Sequence, residues 1–251
     1  MKKLPKSISL VFAMVASCLS GFSQQSFVNI DWVTTNGSPG TYDYVSSALD
    51  PNGNLVYISN HNTGTNTDIL LTCLSPGGTV SWQQNCSSSP TADDYGADLV
   101  IDNAGYIYLC AARNNGTNVD YLIAKYSATG GLIWQQNYNG TGNGDDVPSA
   151  ITIDATGNVF VTGSSLGIGF YNSDFVTIKY NNNGVQQWQK RYNYAGLPEF
   201  ATDIALDNVG NVIICGASAS SVSNSDFAIV KYNNNSGIQM AVQRHTTPGS
   251  G

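Results

Sequence analysis

The feature that most limits what this chain can become is that it repeats. An Asp-x-x-Gly turn followed by an apolar run occurs at Asp50, Asp102, Asp154 and Asp207, which lie 52, 52 and 53 residues apart by subtraction. A second mark keeps the same spacing. Asp68, Asp120, Asp174 and Asp226 each open another apolar run, Trp82, Trp134 and Trp188 follow in register, and Met240 falls where a fourth tryptophan is due. A unit recurring at such a period is a supersecondary block that cannot bury its own faces, so copies must stack to make a continuous core.

The second copy shows what the block is. Residues 95–101 read as a first strand, 102–105 as a turn, 106–112 as a second strand and 113–118 as a polar loop. Residues 120–126 form a third strand, 127–131 a turn and 132–138 a fourth strand. Aspartate accepts hydrogen bonds from the amides that follow it, and glycine supplies the positive φ that closes a hairpin. The second strands (residues 55–58, 107–110, 159–162 and 212–215) are apolar at nearly every position. Both of their faces must therefore be covered, which a lone sheet cannot do and face-to-face stacking can.

The expected fold is all-β, a β-propeller of four-stranded antiparallel blades in four repeats of about 52 residues, either a closed four-bladed ring or part of a larger propeller. The expected organisation is a signal peptide at 1–23, an N-terminal strand at 24–40 resembling the fourth strand of a blade, and repeats at 41–92, 93–144, 145–198 and 199–251. In a closed ring, residues 27–32 would pair with the third strand of the last blade and displace 238–244. In an open array, 238–244 would hold that place. Lys125, Lys179 and Lys231 are expected to point outward, with Trp134 and Trp188 packed between blades.

The ends and the charge bound the function. Lys2, Lys3 and Lys6 precede an apolar stretch at 8–19, and Gly21-Phe22-Ser23 offers small residues for cleavage after Ser23. The rival reading is a lipoprotein anchored at Cys18, since Val15-Ala16-Ser17-Cys18 resembles a lipobox. The stretch is too short to span a bilayer. Removing the signal leaves seven basic against 17 acidic residues, a net charge of about −10. Such a surface argues against nucleic acid, whose phosphates need a basic patch.

The chemical inventory is thin. Cys73, Cys86, Cys110 and Cys215 show no metal spacing and are expected to form no disulfide framework. The Asp-x-x-Gly turns lack the alternating ligands of a calcium loop, and Asp68, Asp120, Asp174 and Asp226 read as strand-start caps. His61 and His245 lie near no nucleophilic or zinc pattern. Asp93-Asp94 and Asp145-Asp146 are adjacent pairs whose side chains point to opposite faces of a strand. The glycine-rich 140–144 stretch lacks the strand-to-helix context of a phosphate cradle. No catalytic, cofactor-binding or metal residue is assigned, and no cofactor is expected.

Ile153-Asp154-Ala155-Thr156-Gly157-Asn158-Val159-Phe160-Val161-Thr162-Gly163, followed by Ser173-Asp174-Phe175-Val176-Thr177-Ile178-Lys179-Tyr180, resembles the bacterial SBBP-type β-propeller repeat. That pattern runs Asp-x-x-Gly-Asn-x-Tyr-Val-x-Gly and then Ser-Asp-x-x-x-x-Lys. The likeness covers the chain after the signal, is strongest in the third unit, and departs in the first, where Cys73 stands in place of lysine. It implies an exported, Bacteroidota-like propeller protein of the cell surface or medium. The resulting expectation is a secreted or cell-envelope, non-enzymatic binding or structural module, its partner an extracellular ligand such as a glycan or an envelope protein. The alternative is a propeller-based hydrolase or lyase, or a glycan-binding propeller. Titratable groups converging on one place would favour an enzyme, and the same exposed aromatic in each blade a lectin.

Overall fold

A computed structural model describes residues 41–87, 91–167, 173–194, 196–221 and 224–245. The expected signal peptide and the 27–32 strand lie outside the described residues. What is described is strands and turns, arranged as four antiparallel four-stranded meanders. Blade 1 comprises β1 (Thr41–Leu49), β2 (Leu55–Asn62), β3 (Thr67–Leu74) and β4 (Val80–Asn85). Blade 2 comprises β5 (Asp94–Ile101), β6 (Ile107–Asn114), β7 (Val119–Tyr126) and β8 (Leu132–Tyr138). Blade 3 comprises β9 (Asp146–Ile153), β10 (Val159–Leu166), β11 (Ser173–Tyr180) and β12 (Gln186–Tyr192). Blade 4 comprises β13 (Glu199–Leu206), β14 (Val212–Ser221), β15 (Asn224–Tyr232) and β16 (Gln239–His245).

The turns form for the reason the sequence suggests. The Gly105 amide donates to the Asp102 carbonyl at 2.9 Å with φ at +82°. Asp102 Oδ1 accepts the amides of Ala104 and Tyr106, both at 2.9 Å. Asp50, Asp154 and Asp207 hold their own turns by the same pair of bonds.

Stacking then buries the strands. Ile58, Leu71, Leu109 and Leu122 meet between blades 1 and 2. Tyr121 and Ile123 meet Val161, Val176 and Ile178 between blades 2 and 3, and Phe160 and Phe175 meet Ile214 and Val230 between blades 3 and 4. β6 is buried on both faces along nearly its whole length, as its composition requires. Each such side chain contributes about 1.5–3 kcal/mol on burial, so the junctions rather than the single sheets supply the cohesion.

First strands set the geometry. β1 packs on β5, β5 on β9 and β9 on β13, so the first strands form the inner row of an arc. No comparable packing returns from β13 to β1 among the described residues, and closure of the ring is not shown. β16 pairs with β15, the arrangement expected of the open array. The outer face of blade 4 is open: the cross-strand row Phe200, Ala217 and Phe227 leaves its two rings 49% and 48% exposed.

Each blade also grips its successor. The indole Nε1 of Trp82, Trp134 and Trp188 donates to the carbonyl of Ala128, Asn182 and Asn234, at 3.1, 3.0 and 2.7 Å, in the third turn of the next blade. The indole lies against a glycine there. A Cβ on Gly184 would come within 2.8 Å of the Trp134 ring, so this position admits glycine alone.

Two expectations are corrected. Lys125 and Lys179 are buried rather than outward. The Lys125 ammonium reaches the Asn182 Oδ1 of the next blade, and Lys179 Nζ reaches Asn234 Oδ1 at 2.5 Å. Lys231 instead pairs with Asp207 Oδ2 of its own blade at 2.7 Å. The tryptophan position in blade 4 falls to Ala241, not Met240. Lys125 and Lys179 lie opposite Trp134 and Trp188, whereas Lys231 lies opposite Ala241. The cause is a turn one residue longer: Gly184 bonds back to Asn181, three residues earlier, but Gly237 bonds back to Asn233, four residues earlier.

Candidate functional site

The inner row carries a pattern of its own. β5, β9 and β13 begin Asp94-Tyr95, Asp146-Val147 and Glu199-Phe200. Successive side chains on a strand point to opposite faces. The acids accordingly turn to one face of the blade and are fully buried, while Tyr95, Val147 and Phe200 stand 46%, 46% and 49% exposed at the inner edge of the opposite face, in the cross-strand rows of Tyr121, Phe175 and Phe227. Glu199 is the chain's only glutamate.

The buried acids are held by the backbone behind them. Asp94 Oδ1 accepts the Asn114 amide at 2.9 Å. Asp146 Oδ2 accepts the Gly140 amide, and Glu199 Oε1 accepts the Tyr194 amide at 3.2 Å and the Ser218 hydroxyl at 3.3 Å. Asp146 Oδ1 and Glu199 Oε2 have no hydrogen-bond partner among the described residues. Burial pushes the Glu199 carboxyl up to about 7, with the nearby Asp174 charge adding to it and the Tyr194 amide and Ser218 hydroxyl opposing. Asp146 is raised for the same first reason, burial, partly offset by the Gly140 amide. A buried carboxyl that keeps its proton near neutrality is a group fit to donate it.

Arginines frame this edge. Arg191 pairs with Asp174 at 2.7 Å and donates to the Ser165 carbonyl at 2.9 Å. Arg244 pairs with Asp226 at 2.9 Å and lies 3.6 Å above the Tyr194 ring. Asp174 and Asp226 are thus partners of fourth-strand arginines, a finer role than the strand-start caps expected of them.

Deeper along the inner row, bulges interrupt β5 between Gly96 and Asp98 and β13 between Ala201 and Asp203. Ser46 donates to Asp98 Oδ1 at 2.8 Å and the Ile151 amide to Asp98 Oδ2 at 3.1 Å, so this carboxylate joins blades 1, 2 and 3. Asp203 is exposed, its Oδ1 accepting only the Ile204 amide at 2.8 Å.

The adjacent acids differ in their partners, and Asp93 and Asp145 precede their strands. Asp93 and Asp145 accept the amides of Thr67 at 2.6 Å and Val119 at 3.0 Å in the preceding blade. His61 stacks on Tyr42, and the 140–144 loop serves to bond Asp146. Cys73, Cys86, Cys110 and Cys215 are free thiols. Among the described residues, no group of three His, Cys, Asp or Glu could hold a metal ion, and no helix is long and apolar enough to cross a membrane.

No protein-family model matches the chain, nor does any curated protein, so the SBBP likeness remains one of motif. Solved structures do match in shape. A protein of unknown function from Dyadobacter fermentans is similar with a TM-score of 0.52 at 9% identity, covering 82% of this chain and 68% of its own. One of unknown function from Bacteroides caccae gives 0.50 at 13%, covering 80% and 61%. A subtype N11 neuraminidase-like protein of A/flat-faced bat/Peru/033/2010 gives 0.52 at 13%, covering 79% and 57%. The chain thus spans roughly 57–68% of the length of these structures, and at such identities the likeness shows the fold alone. It also corrects one expectation. The ground for reading the chain as non-enzymatic was a thin inventory, and that exclusion falls: a neuraminidase-like protein stands on this fold, and the structure brings Asp174 beside the buried Glu199, a pairing the sequence did not show.

Proposed function

We propose that this protein is a carbohydrate-active β-propeller, a hydrolase or lyase of extracellular glycans, whose substrate lies along the inner strands. The observation that carries the proposal is the recurring pair at the start of β5, β9 and β13, a buried acid followed by an exposed Tyr95, Val147 or Phe200. An aromatic face suits the C–H surface of a sugar ring, and the neighbouring Asp98 and Asp203 carboxylates suit its hydroxyls. Glycoside cleavage needs one carboxyl that keeps its proton and one that does not. Glu199, raised to about 7, has the property of the first but is fully buried, so its proton would have to be relayed to the substrate, and exposed Asp203 on the same strand is the candidate for the second. The acidic balance favours a neutral glycan over an anionic one. The solved neuraminidase-like relative in shape supports the reading by analogy of fold only. Export after Ser23, to the medium or the cell envelope, belongs to the same proposal, with anchoring at Cys18 as its alternative.

The test is turnover. The exported protein is incubated with neutral polysaccharides, and new reducing ends and unsaturated ends are followed separately. Cleavage is expected, with loss in Tyr95→Ala and in Glu199→Gln. Binding without cleavage would remove the catalytic part of the proposal; the absence of both would remove all of it.

A further inference from the structure

We propose that the cleft between blades 2 and 3, at the opposite end of the strands from the buried acids, is a second sugar-binding site with Tyr106 as its platform. The first hairpins of blades 2 and 3 flank a cleft of about 480 Å³ whose wall includes Ile101, Asp102, Tyr106, Asp154, Thr156 and Asn182. That volume lies within the ordinary range for small-molecule sites.

A departure from the repeat marks this place. In three blades the residue after the turn glycine is asparagine, and its amide nitrogen donates to the turn aspartate. Asn54 reaches Asp50 at 2.7 Å, Asn158 reaches Asp154 at 2.7 Å and Asn211 reaches Asp207 at 3.1 Å. Blade 2 has Tyr106 instead, and the Tyr108 hydroxyl supplies the missing bond, to Asp102 Oδ2 at 3.0 Å. The turn is therefore satisfied without Tyr106, whose ring stands 38% exposed with the Lys125 ammonium 4.3 Å from its centroid. The ammonium fixes the ring, and the hairpin gains no bond from it. An exposed aromatic that its own turn does not need is available to a ligand.

The lining chooses the ligand. Asp102 and Asp154 together outnumber the Lys125 ammonium, which disfavours phosphate and uronate. The Tyr106 hydroxyl and the Asn182 side-chain nitrogen have no partner among the described residues, and both can bond hydroxyls. A neutral pyranose offers an apolar face to the ring and hydroxyls to the rest. The site shares only its ligand class with the reading above, because different residues carry it.

Tyr106→Asn restores the residue the other three blades use, so the turn keeps its bonding. Maltohexaose, cellohexaose and xylohexaose are titrated calorimetrically into the full exported protein, with hexagalacturonate as the charged control. The wild type is expected to bind a neutral hexamer; Tyr106→Asn should weaken one class of site by about tenfold while turnover persists, and Tyr106→Phe should keep it. Unchanged binding in Tyr106→Asn, tighter binding of hexagalacturonate, or no binding by the wild type would each overturn the proposal. Tyr106-dependent binding in a protein without turnover would uphold this site and remove the inner-strand reading alone.

Discussion

Glu199→Gln should flatten the fall in stability between mildly acid and neutral pH. The Glu199 side chain is fully buried and its carboxyl sits at about 7 against an ordinary 4.5, chiefly through burial. The folded chain therefore keeps a proton that the unfolded chain releases. The stability from that proton is fully present below the unfolded value of 4.5 and is lost as pH rises through about 7. The difference between the two values corresponds to about 3 kcal/mol once the proton is gone. Asp146, also raised by burial, adds a loss of the same sign. Asp50 and Asp154 work the other way. Burial raises them, but the hydrogen bonds from their own turns outweigh it and leave both lowered, so their contribution is lost as pH falls below the ordinary 3.8. Urea midpoints measured from pH 4 to 9 should therefore fall between about pH 4.5 and pH 7 in the wild type and level off above that. In Glu199→Gln, whose amide is neutral throughout, most of that fall should vanish. Parallel curves for the two proteins would refute the assignment of the proton to Glu199.

Trp134→Phe removes the indole donor to Asn182 and should cost about 1 kcal/mol, read as a lower urea midpoint with an unchanged slope; an unchanged midpoint would mean the inter-blade bond contributes nothing. Gly184→Ala places a Cβ within 2.8 Å of the Trp134 ring at a φ of +77° and should cost more, at least about 2 kcal/mol. A neutral result there would show that the turn and indole move apart freely. Mass spectrometry of the exported protein should find the chain beginning just after Ser23; an intact Met1 would end the export reading, and a diacylated Cys18 would establish the lipoprotein.

The strands and turns were legible because their causes are local. An aspartate four residues ahead of the amide it accepts and a glycine at positive φ are chemistry within one hairpin, and the four copies announce it together. Lys125 misled because its burial depends on Asn182, which belongs to the next blade, and a lysine read alone belongs in water. The Met240 assignment failed by one residue because the added residue lies inside a turn, where it shifts register without disturbing the apolar pattern. At the candidate site, each acid and its exposed neighbour were visible as letters. Their common placement was not, since it requires knowing that β5, β9 and β13 stand side by side. The raised Glu199 carboxyl was hidden for the same reason: its burial and the charge of Asp174 come from strands far off in the chain. Tyr106 was the reverse case, an anomaly legible in the repeat that gains meaning only beside Asp154 and Asn182.

The tryptophan contacts all run one way, from a blade to the blade after it, over 46, 48 and 46 residues. A chain emerging from the ribosome therefore presents each indole before its acceptor exists, and every blade waits for nearly one more repeat of synthesis before it is fastened. Construction is vectorial, with an earlier blade always prepared for a later one, in keeping with chains that fold from the N-terminus during synthesis. Blade 4 withdraws from that order. Its longer turn puts Ala241 where the indole would be, and Lys231 folds back on Asp207, so neither of these two contacts reaches forward from this blade.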